Sequence, residues 1–231
     1  MPAAVAERAK HRRIKPSSWL RELPVLIGIA LVLALLIKTF LVQAFFIPSE
    51  SMEKTLLVGD RVLVNKLSRR LDREIERGQV VVFRDPGGWL PSSADSSGNP
   101  VSRGLRNALV FIGLLPSDNQ NDLIKRVIAV GGDRVACSPP GKVTVNGVAL
   151  DEPYIGLNRP CVAPFDVTVP PNRLWVMGDN RQNSADSSAH QDNPGMGTIP
   201  EEAVVGRAFV IVWPLVSMGR LPIPETFQAI T

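Results

Sequence analysis

The chain has 231 residues and a formal net charge of +4, enough for one sizeable domain or two small ones once a tail and one membrane-length apolar run are set aside. The charge does not point to nucleic acid: Arg8, Lys10, Arg12, Arg13, Lys15 and Arg21 against Glu7 and Glu22 account for all of it before Leu23, and no basic patch interleaved with aromatics follows. Two cysteines, Cys137 and Cys161, are too few for a zinc site and lack redox C-x-x-C spacing, and with only His11 and His190 a metal centre would need mainly carboxylates, so no metal or cofactor is expected.

Residues 1–22 read as a basic cytoplasmic tail, with Trp19 at headgroup level. The run 23–46 is apolar apart from Lys38, Thr39 and Gln43, which predicts one transmembrane helix crossing a hydrocarbon core of roughly 30 Å. The basic flank precedes it, so the rest of the chain is expected outside a single-pass plasma-membrane anchor, with Lys38 snorkelling near the outer end. A rival reading is a cleaved signal peptide ending at Val42-Gln43-Ala44, although Phe40 and Lys38 are poor company for such a site.

Directly after the apolar run comes Ile47-Pro48-Ser49-Glu50-Ser51-Met52. Pro48 favours a stiff extended segment in which Ser49 and Ser51 share a face. The next runs are strand-like: 61–67, 79–83, 123–130, a hairpin over 143–150 with an Asn146-Gly147 type I′ turn, then 166–169, 173–177 and 204–213. Between them, 86–102 is rich in Gly, Ser and Pro and is expected to be a mobile loop. Over 103–115, apolar residues at helical spacing predict either a core-packed helix or a flap on the membrane surface. Alternation along 123–130 puts Lys125 on one face with Leu123, Val127 and Ala129. A lysine in such company either snorkels at a sheet edge or is buried for a purpose. The stretch Gly178 to Ser187 is dense in side chains that bond local backbone and reads as an ordered turn.

Four boxes in this order resemble bacterial type I signal peptidase (leader peptidase). They are Pro48-Ser49-Glu50-Ser51-Met52 through Leu56, the strand with Val64-Asn65-Lys66, Ile124-Lys125-Arg126-Val127 with Gly132-Asp133, and Gly178-Asp179-Asn180-Arg181 through Ser184 and Asp186-Ser187. The resemblance implies a mainly-β extracytoplasmic domain of coiled antiparallel sheets and a membrane-bound serine endopeptidase that removes signal peptides from secretory preproteins after small-x-small sites. It implies Ser51 as nucleophile, Lys125 as general base, Ser49 and the Ser51 N–H as oxyanion hole, and Ser184 as the residue orienting the lysine. Shallow pockets are assigned to Phe45, Ile47, Pro48, Leu123 and Ile124. Gln182 and Ser188 stand where many members have Asp and Arg, so Asp186 lacks its usual partner and Arg126 and Arg181 are the substitutes at hand. The long 86–120 insertion and single membrane helix resemble Gram-positive, especially actinobacterial, members.

The expected layout is a catalytic β domain over 47–216, with a flexible insertion at 86–120 and a hairpin region at 134–165, then a C-terminal tail at 217–231. Cys137 and Cys161 bracket the hairpin in an oxidising compartment and are expected to form a disulfide. The partners implied are signal peptides and the lipid bilayer, with no nucleic acid. The alternative from another class is a non-catalytic, membrane-tethered β domain.

Overall fold

The computed structural model of the protein describes residues 19–66, 74–90 and 121–230, the side chains of 19–21 and 34–40 excepted. The expected tail before residue 19, the loop beyond residue 90 and the apolar segment 103–115 lie outside the described residues.

Helix α1 covers Trp19–Phe40, and strand β1, Val42–Phe46, follows almost at once. The apolar run expected as one helix over 23–46 is therefore divided. Its last residues pair antiparallel with β2, Arg61–Asn65, in a register that joins Ala44 to Leu63 and Phe46 to Arg61. Backbone hydrogen bonding to a neighbouring strand and burial of Phe45 outweigh continuation of the helix here, since pairing strands decide short apolar runs that periodicity alone does not. The suggested cleavage site at Ala44 is thus the middle of a sheet strand. Among the described residues no helix is long and apolar enough to cross a membrane.

The remaining strands are β3 Val80–Arg84, β4 Asp122–Ala129, β5 Arg134–Cys137, β6 Thr144–Val145, β7 Val148–Ala149, β8 Phe165–Thr168, β9 Arg173–Met177, β10 Ile199–Pro200, β11 Val204–Trp213 and β12 Gly219–Arg220. They form an eight-stranded sheet in the order β1-β2-β11-β3-β4-β9-β10, with β12 on β11, and a four-stranded sheet in the order β7-β6-β5-β8. All pairings among the described residues are antiparallel, so the mainly-β expectation holds. The β6–β7 turn runs through Asn146 at φ 52° and Gly147 at φ 83°, the double positive φ that a type I′ turn needs.

Two features matter for the site. Strand β4 is interior, flanked by β3 and β9, and every side chain from Leu123 to Ala129 is buried. A register shift between Val127 and Ala129 against β9 breaks the alternation, so Ala129 packs with Ile128 and Trp175 whereas Leu123 and Val127 pack with Val81 and Phe83. The expected four-residue face is therefore three residues long. Of the segment 217–231, expected as a tail, the described residues 217–230 dock: Phe227 and Ile230 are buried in the cluster that holds Cys137, Cys161 and Trp175. Their apolar area is worth more in that core than in water.

Residues 86–90 also depart from the mobile loop expected of them. Asp85 accepts hydrogen bonds from the N–H groups of Gly87, Trp89 and Leu90 at 2.9, 3.2 and 3.1 Å. Buried Trp89 meets Phe83 edge-on and stacks on the His190 ring with centroids 4.5 Å apart. One large aromatic with two ring partners outweighs a Gly-Pro-rich neighbourhood.

Candidate active site

Pro48 and the extended Ser49, at φ −128° and ψ 159°, lead from β1 into a 3-10 turn over Glu50–Met52. Ser51 is thus on a turn, not on the extended segment expected from Pro48. Met52 and Leu56, both fully buried, pin this turn to the cluster formed by Phe45, Ile47, Val62 and Val64. Ser49 still faces Ser51, with their Oγ atoms 3.4 Å apart.

Opposite the turn, Lys125 projects from the middle of β4. Its Nζ donates to Ser51 Oγ at 2.5 Å, and the two residues are only 2 % and 7 % exposed. An interior strand gives this amine no edge from which to snorkel. Burial holds the amine well below the ordinary lysine range, at about 8, against an opposing pull from Asp186 and Asp179. At that value a useful fraction is uncharged near neutrality and able to take a proton.

The third side is the turn after β9. Asn180 N–H donates to the Ser51 carbonyl at 3.1 Å, and the Asn180 side chain reaches the Glu50 carbonyl at 3.2 Å and Glu53 at 3.3 Å. Asn183 adds a bond to Glu50 at 3.1 Å. Gly178 lies so close that an added Cβ would collide with Ser184 Oγ and the Ser51 carbonyl oxygen. Ser184 is therefore beside the pair, but its buried hydroxyl has no hydrogen-bond partner among the described residues and does not engage Lys125.

Asp186 differs from the sequence reading as well. Neither Arg126 nor Arg181 pairs with it. Its carboxylate accepts from Gly178 N–H at 2.9 Å, Ser188 N–H at 3.1 Å and Ser188 Oγ at 2.7 Å, so the serine in place of the usual arginine supplies hydrogen bonds rather than charge. Arg126 instead forms a bidentate pair with Asp179 at 2.9 and 2.6 Å, and Arg181 pairs with Glu152. Asp179, Thr55 and Asn180 lie within the boxes without an assigned role; Thr55 donates to Asp179, closing the turn that carries Ser51 onto the same ion pair. Tyr154 and Glu152 had no signal in the sequence, since long-range pairing across the two sheets brings them in.

Of the pocket residues, Phe45, Ile47 and Ile124 share one apolar cluster and Pro48 is exposed beside them. Leu123 packs in another, with its cross-strand partner Phe83. Cys137 and Cys161 are joined, with Cα atoms 6.4 Å apart. His190 hydrogen-bonds the Asp186 carbonyl at 2.7 Å and makes no bond to Ser51. The described residues contain no cluster of side chains able to hold a metal.

The chain matches the family described as "Signal peptidase, peptidase S26" over residues 20–213. It is 45 % identical to "Signal peptidase I" of Mycobacterium tuberculosis over 230 residues, covering 90 % of this chain and 78 % of that one. Identity is 42 % to "Probable signal peptidase I" of Mycobacterium leprae, covering 93 % and 85 %. A solved signal peptidase I from Enterococcus faecalis V583 overlaps 58 % of this chain and 96 % of its own, at 21 % identity and a TM-score of 0.37. Identity at the mycobacterial level over most of the chain makes this protein a serine endopeptidase. It belongs to the signal peptidase, peptidase S26, family.

Proposed function

We propose that the protein is a membrane-bound endopeptidase that removes signal peptides from secretory preproteins after small-x-small sites, with Ser51 as nucleophile and Lys125 as general base. The observation that carries this reading is the 2.5 Å contact between two buried groups, Lys125 Nζ and Ser51 Oγ. Uncharged Lys125 takes the Ser51 proton as Oγ attacks the scissile carbonyl. The lysine then returns the proton to the leaving amine, and water releases the acyl group by the reverse sequence. Oxyanion charge develops beside Ser49, whose exposed hydroxyl, with the Ser51 N–H, is the donor set in reach; one such donor is worth about 10²–10³ in kcat in comparable sites. Ser184 supplies a hydroxyl to orient the amine, and engaging it would satisfy an otherwise orphaned buried group. Phe45, Ile47, Pro48 and Ile124 are the apolar side of the cleft that takes the small residues, with Leu123 contributing at its strand neighbour.

Anchoring is assigned to α1. Val25, Leu26, Ile27, Ile29, Leu31, Val32 and Leu33 are each more than half exposed, an apolar surface on all sides of the helix between residues 25 and 33 that suits lipid and not water. With the basic residues before it, the N-terminus is cytoplasmic and the β domain extracytoplasmic.

The test is single-turnover cleavage of a small-x-small preprotein by detergent-solubilised protein against pH. Wild type should gain activity as pH rises through about 8, the value to which burial brings Lys125. Ser51→Ala and Lys125→Arg should be inactive, because a guanidinium stays protonated; Ser184→Ala should retain more. Substantial cleavage by Lys125→Arg would remove Lys125 from the mechanism and return His190 as the candidate base.

A further inference from the structure

The ring of Tyr154 lies under the Arg126 guanidinium, with Cζ 4.3 Å from the ring centroid. Tyr154 belongs to the excursion closed by the Cys137–Cys161 disulfide, remote in sequence from every box. Its hydroxyl donates to Glu152 at 2.6 Å, and burial and that carboxylate push its ionisation far up, so it remains a donor. Glu152 in turn pairs with Arg181, whose Nε donates to the Gly178 carbonyl at 3.1 Å. Arg126 also donates to the Gly78 carbonyl at 2.9 Å and to Thr55 at 3.3 Å. Arg126, Asp179, Arg181 and Glu152 are all buried, two cations and two anions in one network, and Tyr154 touches both of its halves.

We propose that Tyr154 is a positioning residue for proton transfer: its ring holds the Arg126–Asp179 pair, and through Thr55 and the 178–181 turn keeps Ser51 and the Lys125 amine packed together away from water. This rests on Lys125 being the base. Arg126 is the residue next to Lys125 on β4, and Asp179 carries a negative charge close enough to act on that amine. The charged and titratable groups around Lys125 are Asp179, Arg181 and Asp186 from the turn after β9, Arg126 from its own strand, Glu152 and Tyr154 from the excursion, and Glu50 and Glu53 from the Ser51 turn. Loosening Arg126 acts on the amine in one direction by two routes. Asp179 is less neutralised, which favours the ammonium form, and water reaches the amine, which favours it too.

A role confined to packing would scale activity down equally at every pH. Loss of positioning moves the acid limb to higher pH instead. Single-turnover cleavage against pH should therefore be followed for the full-length protein as wild type, Tyr154→Phe, Tyr154→Leu and a series with mono-, di- and trifluorophenylalanine at 154. Fluorine drains the ring's negative face while nearly preserving its shape. Tyr154→Leu is expected to raise the midpoint by about one pH unit, roughly a tenfold loss below it that recovers at high pH. The fluorinated series should move it upward stepwise, with Tyr154→Phe as the starting point. If Tyr154→Leu does not fold, as read from its circular dichroism, the fluorinated series decides alone. Midpoints unchanged across that series overturn the proposal. Cleavage that survives in Lys125→Ala would instead overturn the assignment of the base, a failure separate from this one.

Discussion

Lys125 enters the fold as one of eight residues of β4, and its neighbours in that strand are bonded on both sides. A charged amine held there is costly. In the unfolded chain it binds its proton up to about 10.5, in the fold only up to about 8, so the folded state binds fewer protons across that window and stability rises with pH through it. Below about 8 the whole penalty applies, on the order of 3 kcal/mol for a shift of this size. Lys125→Met is therefore expected to be more stable than wild type at pH 7, by up to that amount, with the difference shrinking toward pH 10.5. Urea unfolding at the two pH values measures it, and equal midpoints for both proteins at pH 7 would count against the burial argument. Gly178 is the other residue without latitude. A methyl group there overlaps Ser184 and the Ser51 carbonyl, so Gly178→Ala should lose about a hundredfold in kcat/KM through displacement of the turn that carries Ser51. Titration of the purified variant with an active-site serine reagent distinguishes this from misfolding, because a displaced but folded Ser51 reacts slowly and completely.

At the level of elements, the site is built where three of them converge: the 3-10 turn after β1, the centre of β4 and the turn after β9. None is close to another in the chain. The outlying sheet of β5 to β8 is itself closed partly by a covalent tie. Cys137 and Cys161 close a loop with a sequence separation of 24, and the chain-entropy argument gives about 3 kcal/mol for a loop of that size. Replacing both by serine should lower stability by about that much in chemical denaturation. The same change should leave cleavage at pH 8 and 25 °C close to wild type, because no atom of the disulfide touches Ser51 or Lys125. Unchanged stability in the double variant would show that core packing around Trp175 and Phe227 suffices on its own. The docking of Trp89 on Phe83 and His190 is a second such tie, from the start of the insertion to the turn that holds Asp186.

For the whole molecule, the question is where Ser51 lies relative to a bilayer. Only Leu41 separates the end of α1 from β1, and Phe46 is followed within five residues by Ser51, so a helix seated in lipid keeps Ser51 near the bilayer surface. Protease added outside right-side-out vesicles should digest the β domain and spare a fragment containing α1, whereas protection of the β domain would reverse the topology. Removing residues 1–40 should release the β domain from membranes and retain cleavage of a short peptide substrate, since the Glu50–Met52 turn, strand β4 and the turn after β9 that hold Ser51 and Lys125 all follow α1 in the chain. N-terminal sequencing should find α1 retained; a start at Phe45 would mean the anchor is cleaved.

The sequence by itself determined the local pieces: the strand runs, the Asn146-Gly147 turn, the basic flank and apolar run, and the boxes with Ser51 and Lys125. Each rests on a period, a turn chemistry or a motif that a short window carries. Only the tertiary structure decided which partner each piece takes. Val42–Phe46 became a strand because β2 was there to pair with it. Residues 217–230 joined the core because Phe227 and Ile230 found an apolar cluster. Asp186 accepted Ser188 and backbone donors while Arg126 went to Asp179, an exchange no spacing rule could anticipate, because burial of a charge is settled by whichever opposite charge the fold brings within reach. Tyr154 under Arg126 and the short Lys125–Ser51 contact belong to the same class: both depend on residues far apart in the chain being packed into one water-poor volume.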